Sequence, residues 1–229
     1  MDQNFNNISL MTKAELQRLL TGAHALPITG DAAIARAHAI AHVNARADEH
    51  DDIDTEHPDS LTEPLRPAAV LVLVINHATG ATVLFTQRTA HLHDHAGQIS
   101  FPGGRRDPED INAIATALRE TAEETGVDIE KVELLGQLPD YITGTGYCVT
   151  PIVGWIEPPV VYTPDPFEVA ECFEVPLAFL LNTANHKREA KMYKGRMRSY
   201  HAIPYEQRYI WGATAGMLVS MVQALNTNL

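Results

Sequence analysis

Eight consecutive apolar residues, Ala68 to Ile75 (AAVLVLVI), are followed by the turn signal NHATG and then ATVLFTQR, which reads as two strands joined by a hairpin. The globular core begins with this pair. The same run is far short of the ~20 apolar residues a membrane-spanning helix needs. The opening MDQNFNNISLMTK lacks the basic start and apolar stretch of a signal peptide. Two cysteines, Cys148 and Cys172, are too few for a disulfide framework and form no metal-spaced pair. These features together place the chain, as an expectation, in the cytoplasm.

Upstream of the hairpin the composition changes twice. Residues 11 to 44 are rich in helix formers but interrupted by Pro27 and Gly30, suggesting two helices, so residues 1–47 are read as a helical N-terminal extension. Residues 48–67 are dense in acids and proline and read as a solvated linker. The rest, 68–229, is read as one domain. After the hairpin come a loop rich in His and Gly, a helix from about Asp107 to Thr125, strand-like VELLGQL and CVTPIVGWI, and a late helix in IWGATAGMLVSMVQAL. The expected class is α/β (α+β), with a mixed sheet between helical layers. A formal net charge of -12 argues against extended nucleic-acid binding, but a small phosphorylated ligand is allowed if a metal supplies local positive charge.

The segment GGRRDPEDINAIATALRETAEETGVD carries the chemistry. Asp107 as N-cap, Pro108 at the first helical position and Asp110 as a short capping-box partner predict its start, and Gly126 predicts its stop. Ile114, Leu118, Ala122 and Thr125 recur at helical spacing as the sheet-facing side. On the other side, at 100° per residue, Glu123 lies about 60° to one side of Glu120 and Glu124 about 40° to the other. Like charges so placed destabilise a helix by a few tenths of a kcal/mol per pair, a cost that bound divalent cations reverse. Arg119 beside them is suited to orienting a carboxylate by a bidentate hydrogen bond. Immediately upstream, Phe101-Pro102-Gly103-Gly104 is a turn whose backbone offers a metal a carbonyl, that of Gly103, and offers phosphate its amides.

A strand, a glycine turn and a helix bearing R-E-x-x-E-E-x-G resemble the Nudix box. The terminal half is present from Arg119 to Val127, with Thr121 where a bulky apolar residue usually stands. Gly104 to Arg119 is one residue longer than the general spacing, and Asp110 stands at the first glutamate position. The coenzyme A pyrophosphatase branch has this longer, aspartate-containing form, and LFTQRTAHLHDHAGQISFPGGRRDPED, from Leu84 to Asp110, closely resembles that branch's signature through Thr86, Arg88, Gly97, Phe101, Pro102, Gly103, Gly104, Asp107 and Asp110. The resemblance covers roughly residues 68 to 222.

The resemblance implies a Nudix-type α/β/α sandwich and hydrolysis of a pyrophosphate by water. Glu120, Glu123, Glu124 and the Gly103 carbonyl would hold Mg2+ or Mn2+, hard ions suited to oxygen ligands. The general base would be Glu168, ranked slightly first, or Glu171 in PDPFEVAECFEV, with Glu174 a third candidate; the competing reading of each is an exposed carboxylate that begins a helix. Glu123 and Arg119 complete the catalytic set. Arg88, Arg105, Arg106 and Gly104 would contact substrate, and Lys187, Arg188, Lys191, Lys194, Arg196 and Arg198 form a second basic group, either a solvated loop or a phosphate site. His91, His93 and His95 alternate as zinc ligands on a strand would, yet they fall in the branch's substrate-loop signature. The substrate expected is coenzyme A, with ADP-ribose, a dinucleotide or a nucleoside triphosphate as alternatives and a non-catalytic nucleotide-sensing module as a third reading. No nucleic acid or membrane partner is expected, and a homodimer is a family expectation.

Overall fold

The computed structural model describes residues 11–22, 64–91, 96–193 and 196–226. The second N-terminal helix, the acidic linker up to residue 63, His93, His95 and Lys194 lie outside the described residues. Among the described residues no helix is long and apolar enough to cross a membrane.

A mixed sheet organises the chain. Its backbone is β3 (Ile99–Ser100), β2 (Gly80–Arg88), β1 (Arg66–His77), β7 (Tyr147–Ile156) and β5 (Glu133–Gln137) in that order. To this path β4 (Gly103–Arg105) adds on β1, β6 (Tyr141–Ile142) on β7 and β8 (Val169–Pro176) on β2. The expected hairpin is present, closing on the pair His77 and Gly80. On its other edge β1 runs parallel to β7, from Arg66 opposite Tyr147 to Ile75 opposite Ile156. This central position explains the unbroken apolar run, since a strand covered on both faces has no solvent side to keep polar.

Ala69, Leu71, Leu73 and Ile75 of β1 point to one face, where they meet Ala117 of α2 (Ala113–Thr125). Val72 and Val74 point to the other, into a larger cluster with α1 (Lys13–Gly22), α3 (Leu177–Leu181) and α4 (Ala213–Asn226). Leu16, Leu19 and Leu20 of α1 are all essentially buried in that cluster. The N-terminal helix is thus part of the core. A second sheet of β9 (Lys187–Tyr193), β10 (Arg196–Tyr205) and β11 (Arg208–Trp211) covers the same side, with Ile203 and Ile210 facing inwards.

Four expectations need correction. The first core strand begins at Arg66, inside the stretch read as linker. FEVAECFEV does not begin a helix: from Val169 onwards it is β8, paired antiparallel with β2. Its Phe173 and Val175 enter the core while Cys172 and Glu174 face the α2 side, so the alternation is that of a strand. The late helix begins at Ala213, because Ile210 and Trp211 belong to β11. The basic stretch is the β9–β10 hairpin rather than a loop, its register running from Ala202 opposite Lys187 to Arg196 opposite Tyr193.

Candidate active site

Helix α2 starts a turn later than the capping signals at Asp107 predict. Its N-cap is Asn112, whose Oδ1 accepts the Ala115 amide at 2.9 Å, and Gly126 closes it in the left-handed conformation with its N–H on the Ala122 carbonyl. The deeper side is also rotated from expectation. Thr116, Ala117, Thr121, Glu124 and Thr125 are buried, whereas Ile114, Leu118 and Ala122 are only partly covered. Threonine is tolerated at 121 because its hydroxyl donates to the Ala117 carbonyl at 2.6 Å, leaving no orphaned donor.

Asp110 precedes the helix. It takes the Asp107 amide at 3.0 Å and the Thr116 hydroxyl at 2.9 Å, and it anchors Arg119 through Nε at 3.1 Å and Nη2 at 2.9 Å. The Arg119 guanidinium holds this buried carboxyl well below the usual carboxylate range. Arg119 also reaches Glu123 at 2.9 Å, Glu120 at 3.1 Å and the Arg105 carbonyl at 3.2 Å. It thus ties the helix to the turn on one side and to two of its own glutamates on the other.

The three helix glutamates differ in environment. Glu123 is exposed, Glu120 half-buried and Glu124 buried, at 5%. Burial pushes the Glu124 carboxyl up to about 8, offset in part by the Gly103 amide, which donates to Oε2 at 3.1 Å. Burial likewise raises Glu120, and Glu168 raises both by like-charge repulsion. Gly104 lies so close to Glu120 that a Cβ there would stand 2.5 Å from its carboxylate. Gly103, at φ 150°, leaves no room either: its Cβ would meet the Ala69 carbonyl. The two glycines let the turn pass against the carboxylates.

Glu168 and Glu171 are separated by the sheet. A register shift between Gln87 and Arg88 leaves Glu171 opposite Gln87 and Val169 opposite Arg88. Glu171 lies on the core side with Phe173, where Arg208 binds it at 2.5 Å while stacking 4.1 Å over the Phe173 ring. Glu168 lies on the α2 side: Arg88 Nη1 is 3.9 Å from it and 3.8 Å from Glu124. Glu174 is occupied elsewhere, accepting from Thr82, from Tyr162 at 2.6 Å and from His77 at 2.6 Å. Arg105 is exposed, and Arg106 directs its guanidinium at the Asp110 and Ile111 carbonyls.

The loop carrying Glu168 is fixed by contacts invisible in the sequence. The Asp165 amide donates to the Glu124 carbonyl at 3.0 Å, the Glu168 amide to the Asp165 carbonyl at 3.2 Å, and the Thr89 amide to the Glu168 carbonyl at 2.9 Å. This ties Glu168 to the end of α2 and to the end of β2 together. Among the described residues no three His, Cys, Asp or Glu side chains converge as a ready-made metal cluster. Glu120 and Glu123 are instead both in the hold of Arg119. Crowded, partly desolvated oxygen donors such as Glu120 and Glu124 nevertheless fit a hard divalent cation, which removes their mutual repulsion.

Residues 65–194 match the NUDIX domain. A protein of Photorhabdus laumondii named uncharacterized Nudix hydrolase NudL is 41% identical over 166 residues, covering 72% of this chain and 88% of that protein. A protein of the same name from Escherichia coli K12 is 41% identical over 153 residues, 67% of this chain and 79% of its own length. A solved MutT/nudix family protein from Enterococcus faecalis overlays with a TM-score of 0.45 at 15% identity, covering 95% of this chain and 76% of that one. On the family match and the curated relatives, the chain belongs to the Nudix hydrolase family.

Proposed function

We propose that the chain is a metal-dependent pyrophosphohydrolase that cleaves the diphosphate of coenzyme A or its derivatives to 3′-phosphoadenosine 5′-phosphate and 4′-phosphopantetheine. The observation that carries the choice of substrate is the run from Leu84 to Asp110, which resembles the coenzyme A branch through its longer box spacing and the aspartate at position 110. The geometry adds a reason for that aspartate: the shorter side chain is the buried anchor of Arg119.

In this reading Glu120, Glu123, Glu124 and the Gly103 carbonyl would hold Mg2+ or Mn2+. A divalent ion bound there neutralises diphosphate charge and acidifies water. Arg119, anchored by Asp110, keeps Glu120 and Glu123 aimed. Glu168, held beside Arg88, is the preferred general base, because it shares the α2 side with Glu120 and Glu124. Glu171 is the weaker choice, bound to Arg208 on the far side of the sheet. Arg88 is the cation best placed to meet phosphate, with the exposed Arg105 next.

Incubation of the purified protein with coenzyme A and Mn2+ should release both fragments. A turnover panel adding ADP-ribose, a dinucleotide and nucleoside triphosphates separates this substrate from the alternatives. No cleavage of coenzyme A across a range of metals and pH would sink the proposal.

A further inference from the structure

Phe167 is a large apolar side chain left 64% exposed. Scattered exposed apolar residues are ordinary, and Val161 and Ile111 are more exposed still. Phe167 differs in how it is held and where. Its amide donates to Asp165 Oδ1 at 2.8 Å and its carbonyl accepts the Thr89 hydroxyl at 2.8 Å. Asp165 is in turn bound to the Glu124 carbonyl, and the next residue along the chain is Glu168. The exposed ring thus stands on backbone pinned both to the glutamate helix and to the end of β2. It also has an aromatic neighbour: His91, from the turn after β2, packs against it edge to face with ring centroids 5.1 Å apart.

We infer that Phe167, buttressed by His91, is the stacking platform for the heterocyclic base of the substrate, a nucleoside-binding element one residue from Glu168. The inference rests on the reading that the substrate is a nucleoside diphosphate derivative. A hydrolase that spends its polar groups on the diphosphate needs a separate contact for the nucleoside. An aromatic face supplies one without discriminating strongly among bases, since every base has a π-face. Rigidity matters here, because a platform already fixed loses little side-chain freedom when the base arrives. A ring on a pinned backbone, one residue from Glu168, meets that requirement.

The test uses the full chain with Mg2+ and two probes, adenosine 5′-monophosphate and ribose 5-phosphate, the second lacking the base. Chemical-shift titrations would be run on the wild type, Phe167→Leu and Phe167→Trp. Since the side chain is mostly exposed, all three should fold alike, which a thermal melt checks. The expected result is about a tenfold weaker affinity of Phe167→Leu for the nucleotide, affinity kept or raised in Phe167→Trp, and ribose 5-phosphate affinity equal in all three. Unchanged nucleotide affinity in Phe167→Leu would overturn the inference. So would an equal loss for both probes, or the absence of nucleotide binding by the wild type. Because binding is read directly, a nucleotide effect without coenzyme A cleavage would retain the platform and reject the proposed substrate. Cleavage with no effect of Phe167 would do the reverse.

Discussion

Glu124→Gln separates the folding role of this side chain from its chemical one. A buried carboxyl whose folded pKa is raised from 4.5 to about 8 favours the folded state while protonated, and its contribution is lost as pH rises through that window. At pH 7 the linkage amounts to about 3 kcal/mol against folding of the metal-free protein, and to under about 1 kcal/mol at pH 5. Glutamine resembles the protonated acid and keeps an oxygen for the Gly103 amide. The metal-free variant should therefore be more stable than wild type at pH 7 by about 1–3 kcal/mol, or about 3–10 °C in melting temperature for a chain of this size. Melts in EDTA at pH 5, 7 and 8.5 measure this, and the gap between the two proteins should widen with pH. Adding Mg2+ should stabilise wild type more at pH 8.5 than at pH 5, where protons compete, and should leave the variant nearly unmoved. Turnover should fall by about 10²–10³-fold in the variant, as expected when several kcal/mol of charge stabilisation are withdrawn. A variant no more stable than wild type at pH 7 in EDTA, or a gap that does not change with pH, would refute the reasoning.

The paired glycines should fail in different ways. Gly103→Ala drives a Cβ into the β1 backbone and should destabilise the fold by about 1–3 kcal/mol or more, whereas Gly104→Ala meets only the movable Glu120 carboxylate and should spare the melting temperature while weakening metal-dependent turnover. Asp110→Asn removes the buried partner of Arg119 and should cost about 2–4 kcal/mol at neutral pH. Because the Asp110 carboxyl is held low, its contribution is present above the unfolded pKa and lost in acid, so the difference between this variant and wild type should shrink as pH falls below about 4. Glu168→Gln should lower kcat by about 10²–10³-fold, while Glu171→Gln should leave kcat within about twofold; the reverse order would transfer the base to the far face of the sheet.

Much of the fold was legible because periodicity is a local signal. AAVLVLVI and ATVLFTQR were readable as strands, and Gly126 as a helix stop, from a few adjacent residues. The start of α2 was not, because Asp107, Pro108 and Asp110 are sound cap chemistry in the wrong turn: Asp110 was needed as the anchor of Arg119, nine residues on, and Asn112 took the cap. In FEVAECFEV three interspersed acids mask the period-two pattern, and the alternation of Phe173 and Val175 is the better clue to a strand. In the site, spacing alone put Glu120, Glu123 and Glu124 on one arc of α2, yet spacing could not say that Glu124 is buried and Glu123 exposed. Nor could it divide Glu168 from Glu171, which depends on a register shift between strands far apart in sequence. Asp165 and Phe167 carried no local signal whatever, since their importance comes from what Glu124 and Thr89 donate and accept across the fold.

Three leucines of α1 have a practical consequence for how this protein is handled. The family match begins at residue 65, and a fragment cut there keeps every residue of the candidate site. Yet Leu16, Leu19 and Leu20 fill the main core against β5 and α4. Such a fragment would carry an open seam of apolar surface where the helix had been, and its first failing would be self-association in the tube, before any question of catalysis arose. The boundary at which the family can be recognised and the boundary at which the polypeptide can stand alone are different places in this chain.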